Sequence, residues 1–424
     1  MIKLPRLCQH QIIQNKYSAP KLSLPPSLIA SLDGGFTEYT LTNRMPNIAR
    51  RVIKENDFSA EINQSLEKLA SELPSGDLLP LVDDNGADFT AWHNYLQSYQ
   101  GERWVDIPWF FAETFFYRLI INITNYFRPG EYQYIDPFKL QKSQSLEKSI
   151  DSIIALCQQA NTSLQADSLQ TALVRLLYFS LWGNRVDLSL WSATGGDDRS
   201  RFNIETQQAH ILVDNSSKVV DLLVNKLSNE EKQVDLVADN AGFELVCDLC
   251  LLDFLLASGL VNRVKLHLKP HPTFVSDAMI KDVHDTINFL ADVDNSQVKS
   301  FAHRLQNYVS EEQFILTEDY FWTSPLPFWE IPESLKSELS NASLLVVKGD
   351  ANYRRLLGDR HWNFTTNFTD IVCYLPVSTV ALRTLKSEVA AGIESSIIDK
   401  VAKCDSDWLT NGNWGVISMN NYHC

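Results

Sequence analysis

Asp239 and Asn240 stand together at the end of a short apolar run, VDLVADN, and Ala241, Gly242 and Glu244 follow them. Further along, KPHPTFVSDA supplies Lys269 and then Asp277. Asp239, Asn240 and Asp277 offer two carboxylates and an amide oxygen. Hard divalent cations such as Mg²⁺ and Mn²⁺ prefer such oxygen donors, and Co²⁺ or Ni²⁺ also fit in vitro, because affinity rises along the transition series. Three protein ligands leave positions for water and a substrate phosphate. A single Asp after a strand reads as a helix N-cap. An Asp-Asn pair followed by Ala-Gly and Glu244 is more than a cap requires.

Cations gather in a second stretch. KGDANYRRLLGDRHW carries Lys348, Arg354, Arg355 and Arg360, with Asp350, Ala351, Asn352 and Tyr353 between them. Arg grips phosphate through paired N–H groups, and Lys acts as a point charge. RTLK adds Arg383 and Lys386, although by itself it reads as an ordinary helix start. FAETFFYRL places Glu113 and Arg118 in a greasy helix, where an unpaired charge is costly. Either the two pair with each other or Glu113 reaches a cleft. Arg44, in FTEYTLTNRMP, and Asn184 and Asp187, in LWGNRVDLSL, are further candidates for the same cleft.

Other polar groups read as bland. His267 and His271 straddle a strand end and a proline, and with His284 and His303 they read as surface residues. Asp83, Asp84, Asn85, Gly86 and Asp88 resemble part of a calcium loop, but the twelfth-position Glu is missing, so a turn is expected. There is no Walker A motif, no GxGxxG loop and no GxSxG elbow.

The elements that must position these groups come in two textures. From about Pro26 to Leu190 the periodicity is helical: AEINQSLEKLASEL and LEKSIDSIIALCQQA place apolar residues at i, i+3, i+4 and i+7. From about Asn203, short apolar runs alternate with helical stretches. VDLVADN, VNRVKLHLKP, QFILTED, SLLVVKGD, VCYLPVS and WGVISMN read as strands, and FELVCDLCLLDFLLASG as a buried helix holding Cys247 and Cys250. Strands alternating with helices mean a mostly parallel sheet covered on both faces. The expected division is a helical domain over residues 1–200 and an α/β domain over 201–424. Residues 292–338 read as an excursion over the sheet, with the Trp- and Pro-rich FWTSPLPFWEIP as a possible lid. In open α/β sheets ligands bind at the carboxyl ends of the strands. Every expected strand but the third and the last ends in groups suited to metal or phosphate.

Length and charge bound the rest. A chain of 424 residues exceeds one ordinary core. Its formal net charge of −15 would repel a nucleic-acid duplex, yet a local cluster of cations and metal still admits a small anion. Seven cysteines without a regular framework suggest reduced thiols in the cytoplasm or nucleus. The N-terminus lacks an apolar signal core, and residues 109–123 are too short and too charged to span a bilayer. A soluble protein with neither nucleic acid nor membrane as partner is expected.

In combination, DNAGFE at 239–244, KPHPTFVSDA at 269–278, KGDANYR at 348–354 and RTLK at 383–386 resemble the damage-control phosphatase family. Within it they resemble subfamily III, marked by an RTxK motif downstream of an Asp-Asn pair. FAETFFYR and WGNRVDLSL match as well, and the likeness runs from about Tyr39 onward. The resemblance implies a helical domain followed by a Rossmann-like α/β/α sandwich. It implies one divalent metal on Asp239, Asn240 and Asp277. It also implies that residues 350–354 and Lys386 bind a phosphorylated sugar such as fructose 1-phosphate or fructose 6-phosphate. Proteins similar to this one have also been described as protein-glutamate O-methyltransferases, in which reading Glu244 and Asp277 would contact S-adenosylmethionine.

Overall fold

The structure, a computed structural model, describes residues 18–164, 168–183, 207–226 and 232–421. Its centre is a seven-stranded sheet: β1 (Ile211–Asp214), β2 (Gln233–Val237), β3 (Arg263–Leu268), β4 (Phe314–Glu318), β5 (Leu344–Lys348), β6 (Thr379–Thr384) and β7 (Gly415–Asn420). The spatial order is β1-β7-β6-β5-β2-β3-β4. Every neighbouring pair is parallel except β6 with β7. The mostly parallel α/β fold read from the sequence is therefore present. β2, β5, β6 and β7 are buried along their whole length, as strands covered on both faces must be.

Side-chain alternation sorts each strand between two cores. Val237, Leu345, Val347 and Ala381 face a core that also takes Trp92, Trp109, Phe115 and Trp322. Leu236, Leu344, Val346 and Leu382 face the other, with Leu156, Leu173, Leu177 and Leu249. The helices before residue 183 thus cover both faces of the sheet. Helix Trp109–Ile123 is buried from end to end but for Ile123, its polar residues Glu113, Arg118 and Asn122 included, and most of its apolar residues enter the first core. Helix Phe243–Ala257 likewise buries Cys247 and Cys250, as expected. No helix among the described residues is long and apolar enough to cross a membrane.

Three local expectations need correcting. VCYLPVS is a turn, and the strand is TVALRT, residues 379–384. The proline inside the apolar run cannot donate to a ladder, so pairing starts only beyond it. Arg383 therefore lies inside a strand and RTLK starts no helix. The Trp- and Pro-rich stretch is not a free lid either: Phe321, Trp322 and Phe328 are buried in the first core. Finally, β1 has no counterpart among the expected strands, because four residues are too few to show a period.

Candidate functional site

The strand order reverses between β2 and β5. From β2 the chain proceeds outward through β3 and β4, and from β5 it proceeds the other way through β6. Loops at such a switch point part and leave a crevice at the carboxyl ends. Asp239 leaves β2 there, and Gly349 and Asp350 leave β5.

The loop after β3 folds back to meet them. Ala278 N–H donates to Asp239 O at 2.8 Å, and Ala241 N–H donates to Ser276 O at 2.6 Å. Asn240 and Asp277 pair as an isolated antiparallel bridge. Asn240 Nδ2 donates to Asp239 Oδ2 and to Glu244 Oε2, each at 2.8 Å, while Ser276 Oγ donates to Asn240 Oδ1. Asp239, Asn240 and Asp277, separated in sequence, are thereby brought together.

Asp277 carries the most telling atom. Its Oδ2 is buried with no hydrogen-bond partner, and the nearest cation, Lys269 Nζ, lies 3.4 Å away. A buried orphan acceptor is rare and calls for an explanation. Burial pushes the Asp277 carboxyl up to about 6, against Lys269 and Lys142. Burial, Glu244 and Asp277 push the Asp239 carboxyl well above the usual carboxylate range. Two crowded, desolvated carboxylates beside an amide oxygen suit a hard cation. Among the described residues no three His, Cys, Asp or Glu side chains form a metal cluster. The third donor here is an amide, so a site of this chemistry needs only two acids.

Gly349 makes the approach of β2 and β5 possible. Its φ is 84°, and a Cβ there would lie 2.0 Å from both Cγ and Oδ2 of Asp239. No side chain caps helix Asp350–Leu357, which Gly349 precedes, so the Asp239 carboxylate lies beside a bare helix N-terminus. Gly349→Ala is expected to displace that carboxylate and lower turnover by about 100-fold or more, since such small misplacements cost that much. Steady-state assays read this, and turnover within a few-fold of wild type would remove the role.

The cations divide sharply. Lys386 Nζ forms no hydrogen bond or ion pair with any described residue, while its backbone N–H donates to Asp350 Oδ1 at 3.1 Å. The same oxygen accepts from Arg383 Nε at 2.8 Å and from Ser387 Oγ at 3.1 Å. Asp350 therefore holds the RTLK turn over the helix start, and Lys386 remains the available charge. Arg354 is committed: Nη1 pairs with Glu113, and Nε and Nη2 donate to Asp359 at 2.7 and 3.1 Å. Its guanidinium also sits 3.6 Å over the Trp109 ring. Glu113 thus pairs with Arg354, not Arg118, which instead takes Asp84 and Asp88. The acidic turn at 83–88 is an arginine clamp.

Lys348 does not reach the crevice. It shares strand parity with Leu344 and Val346, so it enters the second core and pairs with Glu244 Oε1 at 3.3 Å and Asp248 Oδ1 at 3.2 Å. Asn352 is spent on scaffold: Nδ2 donates to Ala238 O and Lys348 O, and Oδ1 accepts from Lys269. Tyr353 is buried beneath Arg383, and Ala351 stands in the same first turn of helix Asp350–Leu357. Arg355 is buried among the carbonyls of Trp322 and Leu326, and Arg360 donates to Pro25 O. Arg44 is exposed and lies near enough to the Tyr117 hydroxyl for its charge to be felt there, as do Glu113 and Asp277. His267 and His271 are buried, contrary to expectation: His267 Nε2 is 2.9 Å from Asp235 and His271 Nε2 is 3.6 Å from Asp88. His284 and His303 are exposed. Asn184 and Asp187 lie outside the described residues.

Asn240 and Glu244 also line a cavity of 340 Å³, together with Gln141, Lys142, Ser145 and Ser276. Sequence reasoning did not foresee that helix Lys139–Glu147 would border the site. Asp359, the second partner of Arg354, was missed as well. Its only signal was an acid shortly after two arginines.

Residues 40–401 match the model of the damage-control phosphatase ARMT1-like domain. The chain is 32% identical to the damage-control phosphatase ARMT1 of Danio rerio, over 94% of this chain and 98% of that protein. It is 31% identical to the human protein of that name, over 93% and 98%. Among solved structures, a DUF89 family protein from Pyrococcus horikoshii aligns with a TM-score of 0.47 at 12% identity, covering 90% of this chain and 98% of that one.

Proposed function

The chain belongs to the damage-control phosphatase ARMT1-like family, and from that premise we propose that it hydrolyses small sugar phosphates such as fructose 1-phosphate and fructose 6-phosphate with the help of a divalent cation. The enzyme is a phosphatase of metabolite damage control. The observation that carries the reading is the buried Oδ2 of Asp277, which no hydrogen bond satisfies and which faces Lys269 at 3.4 Å, grouped with Asp239 and Asn240 near a bare helix N-terminus and with Lys386, whose ammonium has no partner among the described residues.

Asp239, Asn240 and Asp277 would hold the cation, which supplies charge neutralisation for the transferring phosphoryl group. Ala351 and Asn352 offer backbone amides at the helix start to the phosphate oxygens, and the helix dipole favours the anion there. Lys386 places an ammonium on the same oxygens. Arg354 keeps two N–H groups with no partner among the described residues, but Glu113 and Asp359 already offset its charge. Its part is to hold Glu113 and the helix in place and to direct those N–H groups, while Lys386 supplies the charge. The oxygen of Asp350 that faces away from Arg383 is left for a sugar hydroxyl.

Methyl transfer is less well supported. Both oxygens of Glu244 are engaged, one by Lys348 and one by Asn240. A donor molecule would have to break one of these contacts.

Phosphate release from a panel of sugar phosphates tests the reading, with EDTA and then with Mn²⁺, Co²⁺, Ni²⁺ or Mg²⁺. EDTA is expected to suppress release and a divalent cation to restore it. Full activity in excess EDTA would overturn the cation, and no release from any ketose phosphate would overturn the substrate class.

A further inference from the structure

Phe274 and Val275 have φ of 45° and 69°. Two successive non-glycine residues in left-handed backbone are unusual, and for a β-branched one the conformation is an outlier that its surroundings must hold. Ser276 N–H donates to Phe274 O at 2.8 Å, closing a γ-turn centred on Val275. The γ-turn with positive φ is the rare and strained form. Asp277 N–H donates to Thr273 O at 3.3 Å, so the chain reverses fully within these few residues.

The reversal sets where Asp277 lies. It turns residues 276–278 antiparallel to 239–241, which yields the Ala241–Ser276 and Ala278–Asp239 hydrogen bonds. The clamp on the turn comes from elsewhere. The Phe274 ring lies 5.0 Å from Tyr117 and 6.3 Å from Phe110, both on helix Trp109–Ile123. That same helix carries Glu113, the partner of Arg354.

We propose that Phe274 is a positioning residue: its stacking on helix Trp109–Ile123 holds the strained turn at Val275, which sets Asp277 against Asp239 and Asn240 and so tunes cation affinity. The proposal rests on the cation reading above for its consequence, though not for the turn itself. Removing the ring lets the strained turn relax. Glycine at 275 takes the left-handed conformation without strain and so makes the ring dispensable.

The test is a double-mutant cycle of Phe274→Ala, Val275→Gly and the pair. Hydrogen exchange at the Ala241 and Ala278 amides is followed in metal-free protein, and Mn²⁺ binding is followed by calorimetry. Phe274→Ala is expected to lose about tenfold in protection at both amides and about tenfold in Mn²⁺ affinity. Val275→Gly alone keeps both and melts no lower than wild type. The pair recovers most of what Phe274→Ala lost, which a merely space-filling phenylalanine would not allow. A pair no better than Phe274→Ala, or a Phe274→Ala variant with wild-type protection, overturns the turn. Wild-type protein that binds no divalent cation overturns the cation reading, and the exchange data still decide the turn.

Discussion

Asp239→Asn is expected to lower phosphate release by about 1,000-fold or more, because it removes a carboxylate proposed to hold the cation and lying beside the bare helix start, several kcal/mol of charge stabilisation. The fold should persist. The reason lies in the electrostatics of the metal-free protein. Burial and neighbouring acids raise the Asp239 and Asp277 carboxyls above their unfolded values. A folded state with raised carboxyl pKa binds more protons than the unfolded chain, so stability falls as pH rises, for Asp277 from about 4 up to about 6. An amide at 239 removes one ionisation from that cluster. Metal-free Asp239→Asn should therefore melt at or above the wild-type temperature at pH 7, while Mn²⁺ no longer raises its melting point. Calorimetry and thermal unfolding with and without Mn²⁺ give both answers. Near-normal turnover with full Mn²⁺ occupancy would show that the ligands were assigned wrongly.

Arg354→Met should act chiefly on stability. Its guanidinium is buried between Glu113 and Asp359, and these carboxylates keep it charged despite burial. Removing it leaves two buried carboxylates without their cation. Breaking a buried pair in this way costs about 3–5 kcal/mol. Arg354→Lys should fall between, since a point charge cannot serve two carboxylates through a planar fork. Adding Glu113→Gln to Arg354→Met should return part of the loss, as one stranded charge disappears. Urea unfolding measures all three. A loss under about 1 kcal/mol for Arg354→Met would mean that water reaches the pair and that it does little to join helix Trp109–Ile123 to the site.

Gly349 and Phe274 show how the same problem is solved twice. At Gly349 the close approach of Asp239 is met by omitting a side chain. At Val275 a left-handed conformation is met by clamping it from outside. Glycine is visible in a sequence, but the clamp is not, because its parts come from two distant segments.

Much of the architecture was legible because it depends on local pattern. Short apolar-rich runs at 233–237, 263–268 and 344–348, alternating with helical stretches, read as strands of a covered parallel sheet, and FAETFFYRL reads as part of a greasy helix. Polar residues after such strands fall toward the carboxyl edge of a parallel sheet, so Asp239, Asp277 and Asp350 could be named as candidates, whereas Lys386 follows a strand that the sequence misplaces at VCYLPVS, and RTLK by itself reads as a helix start. What stayed hidden depended on which face a side chain takes and on which distant group meets it. Lys348 and Asp350 are neighbours in one cationic run, yet the lysine is the last residue of its strand and follows Leu344 and Val346 under the sheet to Glu244 and Asp248, while the turn at Gly349 lifts the aspartate into the first turn of the next helix, at the RTLK turn. His267 reads as a surface histidine until β2 sets Asp235 beside it. Glu113 and Arg118 look like partners on one helix, but five residues is not a helical contact spacing, and each finds its counter-ion on another segment. Sequence alone determined the inventory of charges and the strand ends that carry them. Tertiary packing decided which charges are offset in the core and which stay available for a ligand, because a buried ion must be paired and its partner can come from anywhere in the chain.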